Sequence, residues 1–195
     1  ERVATYVKRA ASLGLDIAGF VDAGLIELHQ IDPAELAPDE LTQHIREAVG
    51  EREAKLVLID SINGYFSSMP DASHVPLQLH ELLAFLSEQG IATVLTMAQS
   101  GLVGTMRSPV DVSYLADNIV LLRYFEAYGQ IRKAISVLKR RRGRHEEAIR
   151  ELAFSRAGVR IGEPLREFRG ILTGVPTSVG EGSALRAETA SDADD

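Results

Sequence analysis

The segment KLVLIDS (residues 55–61) sets four consecutive apolar residues, Leu56 to Ile59, before an aspartate and a serine. A short solid apolar run of this kind fits a parallel strand buried on both faces. A carboxylate at the C-terminal end of such a strand stands where open α/β sheets bind ligands. Asp60 could equally be a turn carboxylate after any parallel strand. Thirty residues on, IATVLTM (91–97) repeats the pattern, and VPLQLHELLAFLSEQG (75–90) between them puts Leu79, Leu82, Leu83 and Leu86 on one helical face. PDELTQHIREAVGE (38–51) is a second amphipathic helix, with Asp39 and Glu40 placed favourably near its start. Before it, LIELHQI (25–31) alternates as a strand would. The resulting β-α-β-α-β alternation predicts a parallel sheet with crossover helices.

The N-terminal stretch adds two short helices. Val3, Tyr6, Val7, Ala10 and Leu13 recur at helical spacing up to a stop at Gly14, and Ile17–Ala23 is followed by Gly24. From Asn118 onward the pattern changes. Strand-like runs occupy 118–125, 131–138, 149–155 and 158–161, with Gly129, Gly143 and Gly158 at the turns. They predict antiparallel hairpins extending the parallel sheet. The final stretch, 177–195, has little apolar content and an acidic end, and is expected to be a disordered tail beyond a single domain over 1–176.

Composition narrows the chemistry. The absence of cysteine excludes disulfides, thiolate zinc sites and cysteine nucleophiles. No apolar run approaches the roughly 20 residues of a membrane helix, so a cytoplasmic protein without a membrane partner is the default expectation. His29, His44, His74, His80 and His145 show no metal-ligand spacing, and no G-x-S-x-G nucleophile motif is present. The net charge is −7, yet VLKRRRGRHEE (137–147) gathers four arginines and a lysine. At a hairpin tip such side chains can reach polyanions, arginine through bidentate forks to phosphate. The same run would also serve as a solvated loop neutralised by Glu146 and Glu147.

Residues 1–176 resemble an ATPase domain of the KaiC family, which belongs to the RecA-like P-loop ATPases, most specifically over its end at 118–176. The resemblance is carried by DVSYLADNIVLLRYFEAYGQIRKAISV and by AISVLKRRRGRHEEAIRELAFSRAGVRIGEPLREFRGILTGVP. LVLIDSI resembles the family's Walker B strand, and KRAASLGLDIAGFVDAG the helix after its catalytic glutamates. The resemblance implies a RecA-like α/β core and a Mg²⁺- and ATP-dependent ATPase acting as a homo-hexameric ring in signalling or timing, with clock-type regulatory partners. Glu1 then matches the second catalytic glutamate, a general base for the attacking water, and Asp60 the Mg²⁺-holding Walker B carboxylate, followed by Ser61 at the nucleotide. Lys139, Arg141 and His145 match hairpin residues that reach the nucleotide of the neighbouring subunit.

Ser113 and Tyr114 fall at the family's neighbouring Ser and Thr phosphorylation sites, and Ser108 at a further hydroxyl position, so the resemblance extends to autokinase activity. Three departures stand out. Tyr114 replaces a threonine, Glu147 stands where a second lysine is common, and no G-x-x-x-x-G-K-[ST] loop occurs in the sequence. The family carries that loop upstream of Glu1, which implies an N-terminally truncated domain, inactive by itself. A RecA-type nucleic-acid motor is the rival reading. It is disfavoured by SGLVGTMRSP (100–109), which has one arginine and no aromatic residue for base stacking. A ring scaffold without turnover is a second rival.

Overall fold

Two glycine-terminated helices open the chain in the computed structural model, which describes residues 2–32, 38–67, 75–99, 112–173 and 176–178. Helix α1 spans Val3–Ser12 and α2 spans Ile17–Asp22. At the end of α1 the Gly14 N–H donates to the Ala11 carbonyl and the Leu15 N–H to the Ala10 carbonyl, both at 3.0 Å. This pair of bonds satisfies carbonyls left over at the last turn, and it requires a left-handed residue, which Gly14 supplies at φ +75. Gly24 ends α2 through the same pattern, with Gly24 and Leu25 donating to Val21 and Phe20.

The described residues form two compact units, one within 2–6, 19–99 and 112–116 and the other within 7–18 and 117–178. In the first unit, α3 (Pro38–Gly50) leads into β1 (Leu56–Ile59). The short α4 (Ile62–Ser67) and the long α5 (Val75–Glu88) then lead to β2 (Ala92–Leu95), parallel to β1 with Leu56 opposite Ala92 and Ile59 opposite Leu95. The leucines picked out by spacing form the core. Leu79, Leu82 and Leu86 are at most 1% exposed, and Leu83 packs partly buried beside them. Leu82 and Leu86 join Ile45 of α3 and Ile91, with Val57 and Ile59 of β1 against them.

Two expectations fail in this unit. The apolar run 56–59 is not buried on both faces. Val57 and Ile59 face the helices, while Leu56 and Leu58 are 57% and 56% exposed. A two-stranded ladder covered by α3 and α5 has one inner face, so the pleat splits even a solid apolar run into an inner and an outer set. LIELHQI forms no strand either, because its alternation finds no ladder partner among the described residues. Its Glu27 is instead engaged by His29 (2.8 Å) and by Arg52 beyond the end of α3.

The second unit is built on an antiparallel sheet in the order β3-β4-β5-β6, comprising Asn118–Ala127, Gln130–Arg140, Arg150–Ser155 and Gly158–Pro164. The hairpin runs and their glycine turns fall where expected. Among the described residues, however, no ladder joins this sheet to β1–β2, so the hairpins make a sheet of their own rather than an extension. Phe125, Ala127, Ala134 and Ile171 form its buried cluster, against Ile149, Leu165 and Phe168. β7 (Phe168–Arg169) pairs with β8 (Thr177–Ser178), so the first two residues of the expected tail are in a strand. Residues 179–195 lie outside the described residues.

Candidate functional site

Asp60 directly follows β1, and Thr96 directly follows the parallel β2, so both stand at the C-terminal end of the pair. Three hydrogen bonds from Thr96 organise the turn. Its N–H donates to the Ile59 carbonyl at 3.0 Å, its carbonyl accepts from the Ile62 N–H at 3.0 Å, and its hydroxyl donates to Asp60 Oδ1 at 2.5 Å. The last is a charge-assisted bond at the short end of the range. Asn63, at the start of α4, ties down the chain beyond β2: its Nδ2 donates to the Ala98 carbonyl (2.9 Å) and its Oδ1 accepts the Ala98 N–H (2.8 Å). Asp60 is exposed and Ser61 half-buried. The result is a solvent-facing carboxylate between two hydroxyl residues, fixed in orientation from the neighbouring strand. Thr96 and Asn63 are absent from the sequence-based site. Thr96 was within reach of the same rule, since it ends ATVL as Asp60 ends LVLI.

Val112, just before Ser113, is buried in one cluster with Ile62 and Leu79, with Ile59, Leu95 and Met97 against it. A turn closed by the Leu115 N–H on the Val112 carbonyl at 3.1 Å presents Ser113 and Tyr114, both exposed. The hydroxyl turn and the end of β1 are thus anchored on one core. Glu1 and Ser108 lie outside the described residues.

In the second unit, the basic run leaves β4. Strand β4 ends at Arg140, and the ladder with β3 slips between Ile119 and Val120: Val120 faces Val137 while Ile119 faces Lys139, which makes Leu138 the extra residue. Such a bulge re-aims the side chains beyond it. Strand alternation therefore does not assign faces through residue 144. Past the strand, Arg141 is held by Asp117, whose carbonyl accepts its N–H at 2.7 Å and whose carboxylate pairs with its guanidinium at 2.9 Å. Arg140 Nη1 donates to the Arg144 carbonyl at 2.8 Å, closing the loop across Gly143. Glu146 does not neutralise the run. It accepts the Ala148 N–H and pairs with Arg150, and these two contacts hold its carboxyl below the usual range. Lys139 and His145 are half-buried.

Residues 1–166 match the family model described as the KaiC ATPase. The chain belongs to the KaiC ATPase family. Circadian clock protein KaiC3 of Synechocystis sp. is 38% identical over 96 residues, which is 49% of this chain and 19% of that protein. The circadian clock oscillator protein KaiC of Thermostichus vulcanus is 25% identical over 173 residues, covering 88% of this chain and 33% of the relative. For KaiC of Synechococcus elongatus the figures are 25% over 181 residues, 92% and 34%. The chain therefore spans about a third or less of the length of these relatives. The mixed α/β architecture, with a parallel pair and antiparallel hairpins, is compatible with a KaiC-type domain. No helix among the described residues is long and apolar enough to cross a membrane.

Proposed function

We propose that this chain supplies the Walker B half of a Mg²⁺-dependent ATPase site in a RecA-like domain spanning 1–176, and that the whole protein works as a homo-oligomeric ring, hexameric in its complete form. The observation that carries the reading is Asp60 at the C-terminal end of a parallel strand, oriented by Thr96 from the next strand. Asp60, Ser61 and Thr96 offer only oxygen donors. That suits Mg²⁺, which takes one or two carboxylates and otherwise keeps waters and phosphate oxygens. Asp60, with Ser61 beside it, would hold the ion, and bound Mg²⁺ would neutralise charge on the ATP phosphates. Glu1 would polarise the attacking water as a general base.

Lys139, Arg141 and His145 would deliver positive charge to the nucleotide of the neighbouring subunit, as an arginine finger does. Arg141 must then leave Asp117. Both partners are more than half exposed, and such surface pairs contribute only about 0–1 kcal/mol, so exchange for a more highly charged phosphate is favourable. The Ser113–Tyr114 turn, sharing a core with the end of β1, is the candidate phosphate acceptor of an autokinase, with Ser108. Like the relatives named as circadian clock proteins, the protein would serve timing or signalling.

The test uses full-length protein. Subunits carrying Arg141→Ala are mixed with subunits carrying Asp60→Asn, each nearly inactive alone. Hydrolysis should partly recover in mixed rings, because one intact site can be assembled from two chains. No recovery, with mixed rings verified by native mass spectrometry, would refute action across the interface. Incubation with Mg-ATP followed by mass spectrometry should place phosphate on Ser113. If Ser113, Tyr114 and Ser108 all stay unmodified under turnover, the protein is an ATPase without autokinase activity.

A further inference from the structure

The β1–β2 ladder ends with Ile59 opposite Leu95, but bonding between the two segments continues past it. Thr96 still bonds main chain on both of its polar groups, its N–H to the Ile59 carbonyl and its carbonyl to the Ile62 N–H. In a regular parallel ladder the next rung would fall two residues on, at Ala98, and the β1 side would engage both its N–H and its carbonyl through main chain. By that point the β1 side has already turned into α4, which begins at Ile62. The side chain of Asn63 takes over the rung. Its Oδ1 accepts the Ala98 N–H at 2.8 Å, and its Nδ2 donates to the Ala98 carbonyl at 2.9 Å. The carboxamide stands in for a peptide group, and the β2 side is held one rung beyond the end of its strand.

The residue type matters. Asparagine carries a donor and an acceptor side by side in one plane on a short stem. An aspartate at this position would turn an acceptor toward the Ala98 carbonyl, and a serine would offer a single oxygen.

This rung bears on Asp60 through Thr96. Thr96 lies between Leu95, the last residue of the ladder, and Ala98, the residue that Asn63 holds. Its hydroxyl donates to Asp60 Oδ1 at 2.5 Å, so its aim depends on the backbone that carries it. Met97, between the two pinned residues, packs against the cluster of Ile62, Leu79 and Val112. Thr96 and Ala98 are both exposed, so water competes for their polar groups wherever the segment opens. Without the Asn63 rung, Thr96 would be the terminal residue of a two-stranded ladder, and such ends open at low cost.

We infer that Asn63 is a positioning residue for the Asp60 carboxylate, acting through Thr96. The inference rests on the reading of Asp60 as the Mg²⁺ ligand. Asn63 holds Ala98, Ala98 keeps Thr96 in register, and Thr96 aims Asp60.

A mutant cycle in the full-length protein tests it, with Asn63→Leu, Thr96→Val and the double variant. Leucine keeps the branched shape, removes both bonds and adds no charge near Asp60. The Ile62 amide, held by the Thr96 carbonyl, should exchange roughly fivefold faster in Asn63→Leu, with the amides of Leu82 and Leu86 in α5 unchanged. Hydrolysis of Mg-ATP should fall roughly fivefold in kcat. The double variant should hydrolyse like Thr96→Val alone, because a residue that acts through the hydroxyl has nothing left to position once the hydroxyl is gone. Losses that multiply in the double variant would overturn the inference, since a residue that only supports the fold would act independently of Thr96. Wild-type kcat or wild-type exchange at Ile62 in Asn63→Leu would overturn it as well. Asp60→Asn separates the two levels. Intact hydrolysis in that variant would refute the Mg²⁺ reading itself, whereas hydrolysis lost in Asp60→Asn but undiminished in Asn63→Leu would remove only the role of Asn63.

Discussion

Replacing Gly14 by alanine tests the packing that ends α1. Gly14 sits at φ +75, and an added Cβ would lie 2.7 Å from the Arg156 carbonyl oxygen in the turn between β5 and β6. Two costs add. A left-handed alanine is disfavoured by roughly 1–2 kcal/mol. The contact is far inside van der Waals distance and ends on backbone, so the turn itself must move, at about 1–3 kcal/mol for overpacking of this kind. Alanine also stiffens the unfolded chain, which returns about 0.4–1 kcal/mol. The net expectation is a loss of roughly 2–4 kcal/mol.

Gly129→Ala is the matched control. It lies in the same unit at φ +68 with nothing within 4 Å of the added carbon, so only the backbone cost applies, a net of about 0–1.5 kcal/mol. The assay is native-state hydrogen exchange at the amides of Leu152 and Phe154, with urea unfolding alongside; exchange reports the second unit even if the two units unfold separately. If Gly14→Ala loses no more protection than Gly129→Ala, the close approach of Gly14 to Arg156 is wrong.

Three further outcomes are expected. Thr96→Val keeps the shape at the end of β2 but removes the hydroxyl that orients Asp60; a hydrogen bond to a charged group contributes about 1.5–3 kcal/mol, so full-length hydrolysis should fall by roughly tenfold or more, read as kcat, with urea stability lowered by no more than that amount. Leu86→Ala, at a position with no exposure between α3, α5 and β1, should cost about 2–5 kcal/mol of stability, measured by chemical denaturation. The Glu27 carboxyl is held below its ordinary value by the Arg52 guanidinium first, and by His29. A depressed folded-state value means its contribution is present above the ordinary carboxylate range and lost as pH falls through the folded value; Arg52→Gln should raise the Glu27 titration midpoint in a carboxyl-detected NMR titration and flatten the acid-side slope of stability.

Elements whose signal is local were legible in the sequence. The leucine spacing of 75–88 names the residues that close the first core, because a helix presents one face whatever it packs against. Gly14, Gly24 and Gly129 mark their turns because only the local backbone decides whether φ is positive. Asp60 is found at its strand end by position alone, and the family resemblance read most specifically from 118–176 agrees with the family model that matches residues 1–166.

Elements whose fate depends on a partner were not legible. LIELHQI alternates like a strand, but a strand exists only through a ladder, and pairing is a property of two segments. The apolar run 56–59 carries no record of how many layers cover it, so Leu56 and Leu58 emerge exposed. Past Leu138, one extra residue in the β3–β4 register overrides an alternation that looks regular in the sequence. The contacts that orient the site, Thr96 to Asp60 across 36 residues and Asp117 to Arg141 across 24, were decided by tertiary structure. The hydrogen-bonding capacity of a side chain is written in its residue type, whereas its partner is set by which backbone segments the fold brings within about 3 Å.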